Sequence, residues 1–135
     1  PLSEDEALRC LKSAYSLYKP NPKNPTDVGN AKRLVELFGE DVRYIYEFKK
    51  WIQWDGSRWL FDETGHMFRL AKETAKSISQ EAANEVDEDR RRNLMNHALR
   101  SENKRQLDSM IDVAKTEEGI TVSQSVLDQD EYLLG

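Results

Sequence analysis

The residues of this chain able to do chemistry are few. Histidine occurs twice, at His66 and His97, and cysteine once, at Cys10. A zinc site draws on Cys and His at close spacing, and no such spacing occurs here. Two histidines and a carboxylate would make a site only if distant helices brought them together. The phosphate-cradling run Gly-x4-Gly-Lys-[Ser/Thr] is missing, so no nucleotide loop is expected. Asp128-Gln129-Asp130 has the Asp-x-Asp spacing that can hold Mg²⁺. It stands beside an expected helix end, where acids commonly solvate the terminus, and that reading is preferred. Cys10 lies among apolar helical positions and reads as a small core residue. As the only cysteine it has no internal disulfide partner, which fits a reducing, cytoplasmic setting. The expectation is no catalytic residue, no metal and no cofactor within these residues.

Two features could bind a partner. Lys50 to Phe61 holds all three tryptophans around Asp55-Gly56, a pair suited to the positive-φ positions of a tight two-residue turn. With that loop Trp54 faces Ser57, Gln53 faces Arg58, Ile52 faces Trp59 and Trp51 faces Leu60. Ile52, Trp54, Trp59 and Phe61 then share one face, because side chains alternate along a strand. An exposed aromatic face could stack single-stranded bases. The preferred reading makes these four residues core, sealing the sheet against a long helix, since a small sheet needs a covered face. Trp51, on the other face beside Gln53 and Arg58, is left open to either role.

The second feature is charge. Arg90, Arg91, Arg92, Arg100, Lys104 and Arg105 stand against one acid, Glu102, between positions 90 and 105. Directly before them come Glu81, Glu85, Asp87, Glu88 and Asp89. The basic stretch could track a phosphate backbone, or pair with the neighbouring acids along helix faces or across subunits. Pairing is preferred. A net charge of −5 over 135 residues argues against a protein that coats duplex DNA by overall attraction.

The elements that must carry these residues follow from periodicity. Ser3 and Glu6 form a capping box for a helix over 4–18 with Leu8, Leu11, Tyr15 and Tyr18 at helical spacing. Prolines in 19–25 end it and make a linker, so 1–25 reads as a helix plus linker and 26–135 as the main domain. Thr26 or Asp27 caps a second helix with Val28, Ala31, Leu34, Val35 and Phe38 inward and Gly39 as its stop. Val42 to Tyr46 predicts a short strand, which with the tryptophan hairpin gives a two- to three-stranded antiparallel meander. From Thr64 or His66 onward, Met67, Leu70, Ala71, Ala75, Ile78 and Ala82 stripe a long helix. Asp87 caps the next, with Leu94, Ala98 and Leu99 inward. Asn103 caps another, striped by Leu107, Met110, Ile111 and Ala114 and ended by Gly119. Ser123 or Ser125 begins a last short helix. The fold class is α+β, mainly α. No apolar run has the length of a membrane span, and Pro1 in place of Met suggests a piece cut from a longer polypeptide.

Taken together, Thr26-Asp27-Val28-Gly29-Asn30-Ala31-Lys32-Arg33-Leu34, Trp51-Ile52-Gln53-Trp54-Asp55-Gly56-Ser57-Arg58-Trp59, Arg69-Leu70-Ala71-Lys72, Ala98-Leu99-Arg100-Ser101 and Leu127-Asp128-x-Asp130-x-Tyr132-Leu133-Leu134 form an ordered pattern. It resembles the poxvirus-type primase N-terminal-like domain, which in phage, plasmid and prophage primase–helicases lies directly before a superfamily 3 helicase. The match runs from Thr26 to Leu134. It departs at Glu131, where the family commonly has Pro, and at Gly135, where it continues Leu-Leu-Asn. The resemblance implies a non-catalytic segment, a collar that supports helicase ring assembly and guides DNA. It further implies that the active sites, with their ATP and Mg²⁺, lie in primase and helicase domains outside these residues. The implied setting is the cytoplasm of a bacterial host, in a homo-oligomer, with no membrane. The alternative is a single-stranded DNA-binding module using Arg90, Arg91, Arg92, Arg100, Lys104, Arg105 and Trp51.

Overall fold

The computed structural model describes residues 24–127. Helix α1 spans Asp27–Phe38 and passes through a 3-10 turn, Gly39–Asp41, into strand β1, Val42–Ile45. Strands β2, Lys50–Trp54, and β3, Trp59–Phe61, complete a meander. Helices α2, His66–Ala83, α3, Glu88–Ser101, and α4, Lys104–Ala114, follow. A two-residue strand β4, Thr121–Val122, and a short helix α5, Gln124–Leu127, end the described chain. The protein is α+β, mainly α, as the periodicity predicts. The helix over 4–18, Cys10, the Asp128–Asp130 pair and Tyr132-Leu133-Leu134 lie outside the described residues.

Local chemistry sets the helix starts. Thr26 accepts the amide of Gly29 at 3.0 Å and Asp87 accepts that of Asp89 at 3.1 Å, each satisfying a donor that the first helical turn leaves open. For α2 the cap is Asp62, four residues ahead of the helix. Its carboxylate accepts the amides of His66 and Met67, both at 2.8 Å, while Gly65 turns the chain at φ 78°. Gly39 is αR, φ −62°, and carries α1 on into the 3-10 turn instead of stopping it.

The sheet is larger and differently registered than the sequence suggests. Its order is β3-β2-β1-β4, with β4 parallel to β1 through Tyr44↔Thr121 and Ile45↔Val122. In the hairpin Trp54 pairs with Trp59, Gln53 with Leu60 and Ile52 with Phe61. The loop is therefore the four residues Asp55 to Arg58. Asp55 is the reason: its carboxylate accepts the amides of Ser57 at 2.8 Å and Arg58 at 2.9 Å, and its own amide closes on the Arg58 carbonyl at 3.0 Å. These bonds make a wider Asx-type turn more favourable than the two-residue one. Sliding the register by two keeps Ile52, Trp54, Trp59 and Phe61 on a common face.

The helices and sheet share one main core. Ala31, Leu34 and Val35 of α1, Val42 of β1, Met67, Ala71 and Ala75 of α2, and Leu107, Met110 and Ala114 of α4 meet there with Ile120. A second cluster, Ile78 and Ala82 against Leu94 and Ala98, joins α2 to α3. Two expected inward residues point out: Val28 is 53% and Leu99 63% exposed. Their places on the inner sides of α1 and α3 go to Asn30, Arg33, His97 and Ser101, all buried. No described helix is long and apolar enough to cross a membrane.

Candidate functional site

The tryptophans divide between the two sides of the sheet. Trp51 packs with Tyr44 against the main helical core, the two rings edge to face at 5.3 Å. That contact takes its indole away from solvent-side stacking. Ile52 and Trp59 lie on the opposite face with Ile45, flanked by Trp54, Phe61 and Val122. The expected partner of that face, the long helix α2, instead packs on the Trp51 side. Trp54 and Trp59 meet edge to face at 5.4 Å, and the Arg43 guanidinium lies 5.6 Å from the Trp59 ring.

The basic stretch is drawn into pairs within its own chain. Arg90 reaches Glu85 at 2.9 Å, Arg91 lies 3.9 Å from Glu88, and Arg92 lies 4.0 Å from Asp89. Lys104 bonds Asp108 at 3.0 Å. Arg100, at the end of α3, and Arg105, at the start of α4, are exposed without an ion pair among the described residues. The fold places these six cations on two consecutive helices, four on α3 and two on α4.

What sequence reasoning missed is a buried polar network joining three helices. Arg33 of α1, 3% exposed, forks onto Glu81 of α2: Nε donates to Oε2 at 2.8 Å and Nη2 to Oε1 at 3.1 Å. Its Nη1 donates to the Asn30 Oδ1 at 3.1 Å and to the Asn24 carbonyl at 3.0 Å. Asn30, fully buried, donates through Nδ2 to the Ser101 hydroxyl at 3.0 Å, and its Oδ1 lies 2.8 Å from His97 Nε2. Because Oδ1 can only accept, His97 carries its proton on Nε2. Ser101 then donates to the carbonyl of His97, one turn back, at 2.7 Å. No buried side-chain nitrogen or oxygen lacks a partner among the described residues.

Two of the quoted sequence blocks meet here. Gly29, Asn30 and Arg33 come from the first and Ser101 from the Ala98–Ser101 block. Gly29 has a steric role, since a Cβ there would stand 2.0 Å from the Asn24 carbonyl oxygen. The bare backbone lets Asn24 lie against α1, where its carbonyl accepts a hydrogen bond from Arg33 Nη1. A signal for the network was present in the sequence: polar residues at i, i+4 on an otherwise inward helix side, as His97 and Ser101 are.

Electrostatics suit cohesion more than reactivity. Burial first, then the charges of Arg33 and Arg100, hold the His97 imidazole below its ordinary value, with Asp27 and Glu81 opposing. A neutral imidazole held through Nε2 beside a guanidinium is a fixed strut. Among the described residues no three His, Cys, Asp or Glu side chains gather where a metal could sit.

Fold and network together define a mainly helical α+β module whose motif residues hold helices to one another. A family model described as D5 N terminal like matches residues 31–135, and the chain belongs to that family. Domains of this family occur in primase–helicase proteins. Comparison with curated proteins and with solved structures gave no match.

Proposed function

We propose that this chain is a non-catalytic domain of a phage, plasmid or prophage-type DNA primase–helicase, a collar that supports ring assembly of the helicase and guides DNA. The observation that carries the reading is the destination of the motif residues. Gly29, Asn30, Arg33 and Ser101 are spent on locking α1, α2 and α3 together, which is what a part that positions other parts requires. ATP and Mg²⁺ belong to the downstream helicase in this reading, and primer synthesis to the upstream primase. The decisive measurement is the mass of the longer primase–helicase by light scattering, with and without residues 24–127. Loss of the oligomer on deletion supports the collar. An intact oligomer that still unwinds DNA overturns it.

A second reading, single-stranded DNA binding, keeps one specific support: Arg100 and Arg105 are exposed and lack ion pairs among the described residues. The half-buried Trp51 ring packs against Tyr44 and the core, which weighs against its stacking on a base. Titration of the chain with a fluorescent single-stranded oligonucleotide across salt concentrations tests it. Arg100→Ala and Arg105→Ala should each lower the salt slope by about 0.7, the single-strand value per phosphate contact. Absence of binding at low salt removes the reading.

A further inference from the structure

Helix α3 packs on the domain by one side. Leu94 and Ala98 meet Ile78 and Ala82 of α2, and His97 and Ser101 enter the buried polar network from that same flank. Away from it, Arg92, Met95, Leu99 and Glu102 follow one another along an outer ridge. Met95 is 39% and Leu99 63% exposed, and the Arg92 side chain is 72% exposed. Glu102, at the helix end, is exposed without an ion pair among the described residues. Lone apolar side chains on a surface are ordinary. These two stand one turn apart on one face, and no other exposed large apolar residues of the described helices do so. The four positions are spaced three, four and three apart, the seam along which paired helices meet.

We propose that this ridge is a contact between two copies of the chain, α3 lying antiparallel on its mate about a two-fold axis at position 97. Charge selects both the occupant and the direction. In this register Met95 faces Leu99 of the second copy, Leu99 faces its Met95, and Arg92 faces Glu102 at both ends of the seam. The parallel arrangement sets Arg92 against Arg92 and Glu102 against Glu102, like charges at both ends. The ridge is thus complementary to itself, apolar at its centre and oppositely charged at its rim, as protein contacts are. Arg92 is free to turn to it, since its ion pair with Asp89 is a loose 4.0 Å. From Arg92 to Glu102 the seam runs ~15 Å, about three helical turns. One helix pair of that length buries less than the roughly 1,200 Å² at which stable complexes begin, so pairing of the isolated chain is weak. A two-fold contact closes at two copies, whereas a ring needs a head-to-tail one. The inference therefore goes beyond the collar and stands without it.

Sedimentation of the full chain over a concentration series reaching the millimolar range tests this. The expected result is a monomer–dimer equilibrium that stops at two copies. Arg92→Glu alone, or Glu102→Arg alone, puts like charges at both ends of the seam and should weaken pairing about tenfold. Mixing the two variants should restore it, because the mixed pair again sets an acid against a base at each end. A chain that stays monomeric throughout overturns the proposal. So do single variants that pair as strongly as the parent, a mixture that pairs no better than its components, or growth beyond two copies. One readout needs no substitution: backbone amide shifts of the unaltered chain followed on dilution. Changes centred on 91–102 support the contact, and changes centred on the sheet or α4 overturn it.

Discussion

His97 shows how one residue's surroundings set its chemistry. Its ring is enclosed by α1 and its own helix, shares Asn30 Oδ1 with a guanidinium, and has the Arg100 charge nearby. Protonation there would place a second cation beside Arg33, so folding favours the neutral ring. The linkage follows from the depressed value. Above the unfolded value of about 6.5 the ring is neutral in both states and its full contribution to stability is present. As pH falls below that, the unfolded chain takes up the proton first and stability is lost until the folded value is reached. Thermal melts should therefore show Tm falling as pH drops below about 6.5, and His97→Gln should flatten that slope. Gly29 makes an independent residue-scale case. Gly29→Ala drives a methyl into the Asn24 carbonyl and should cost about 1–3 kcal/mol by denaturant unfolding, against a small gain if the site were open helix. Arg33→Met should cost about 3 kcal/mol, the low end for a broken buried pair, because Glu81 keeps access to water.

The hairpin is the element where register and face separate. Asp55 holds its own turn through the Ser57 and Arg58 amides, and those bonds keep its carboxyl below the ordinary value. The resulting four-residue loop sets Trp54 against Trp59. Since alternation survives a shift of two, the aromatic face was readable from sequence although the pairing was not. Which side of the sheet that face would meet was not readable either. Nothing local tells a strand on which side its helices will pack, and the sheet is apolar on both sides. Trp59→Ala should cost about 3–5 kcal/mol, as for a fully buried aromatic, and Trp54→Ala less, because Trp54 is only partly buried. Urea melts of the two variants check the order. Equal costs would mean that the Trp54 ring is as enclosed as that of Trp59.

Across the whole molecule, charge is balanced locally. The acidic and basic blocks meet at the start of α3, where Arg90, Arg91 and Arg92 answer Glu85, Glu88 and Asp89 of the same chain. These are exposed pairs, each worth well under about 1 kcal/mol. Replacing all three arginines by glutamate reverses the pairs into repulsions. The expected result is a modest fall in Tm that shrinks as salt rises, because exposed charges are screened. A fall independent of salt would place the cost in packing. At this scale the main core and the Arg33–Glu81–Asn30–His97–Ser101 network join α1, α2, α3, α4 and the sheet into one body.

Helix positions were determined by the sequence alone, save that α4 ends at Ala114, five residues before its expected stop at Gly119. The inward stripes of Met67 to Ala82 and Leu107 to Ala114, the caps at Thr26 and Asp87, and the family pattern are all local or linear information, and local hydrogen bonds and periodicity decide them. The residues that bind the helices together were decided by tertiary structure. Asn30 meets Ser101 across 71 positions and Arg33 meets Glu81 across 48, separations at which no propensity or spacing rule acts. Strand β4 belongs to the same class: two residues have no periodicity to read, and only the edge of β1, with its open carbonyls and amides, makes Thr121–Val122 a strand.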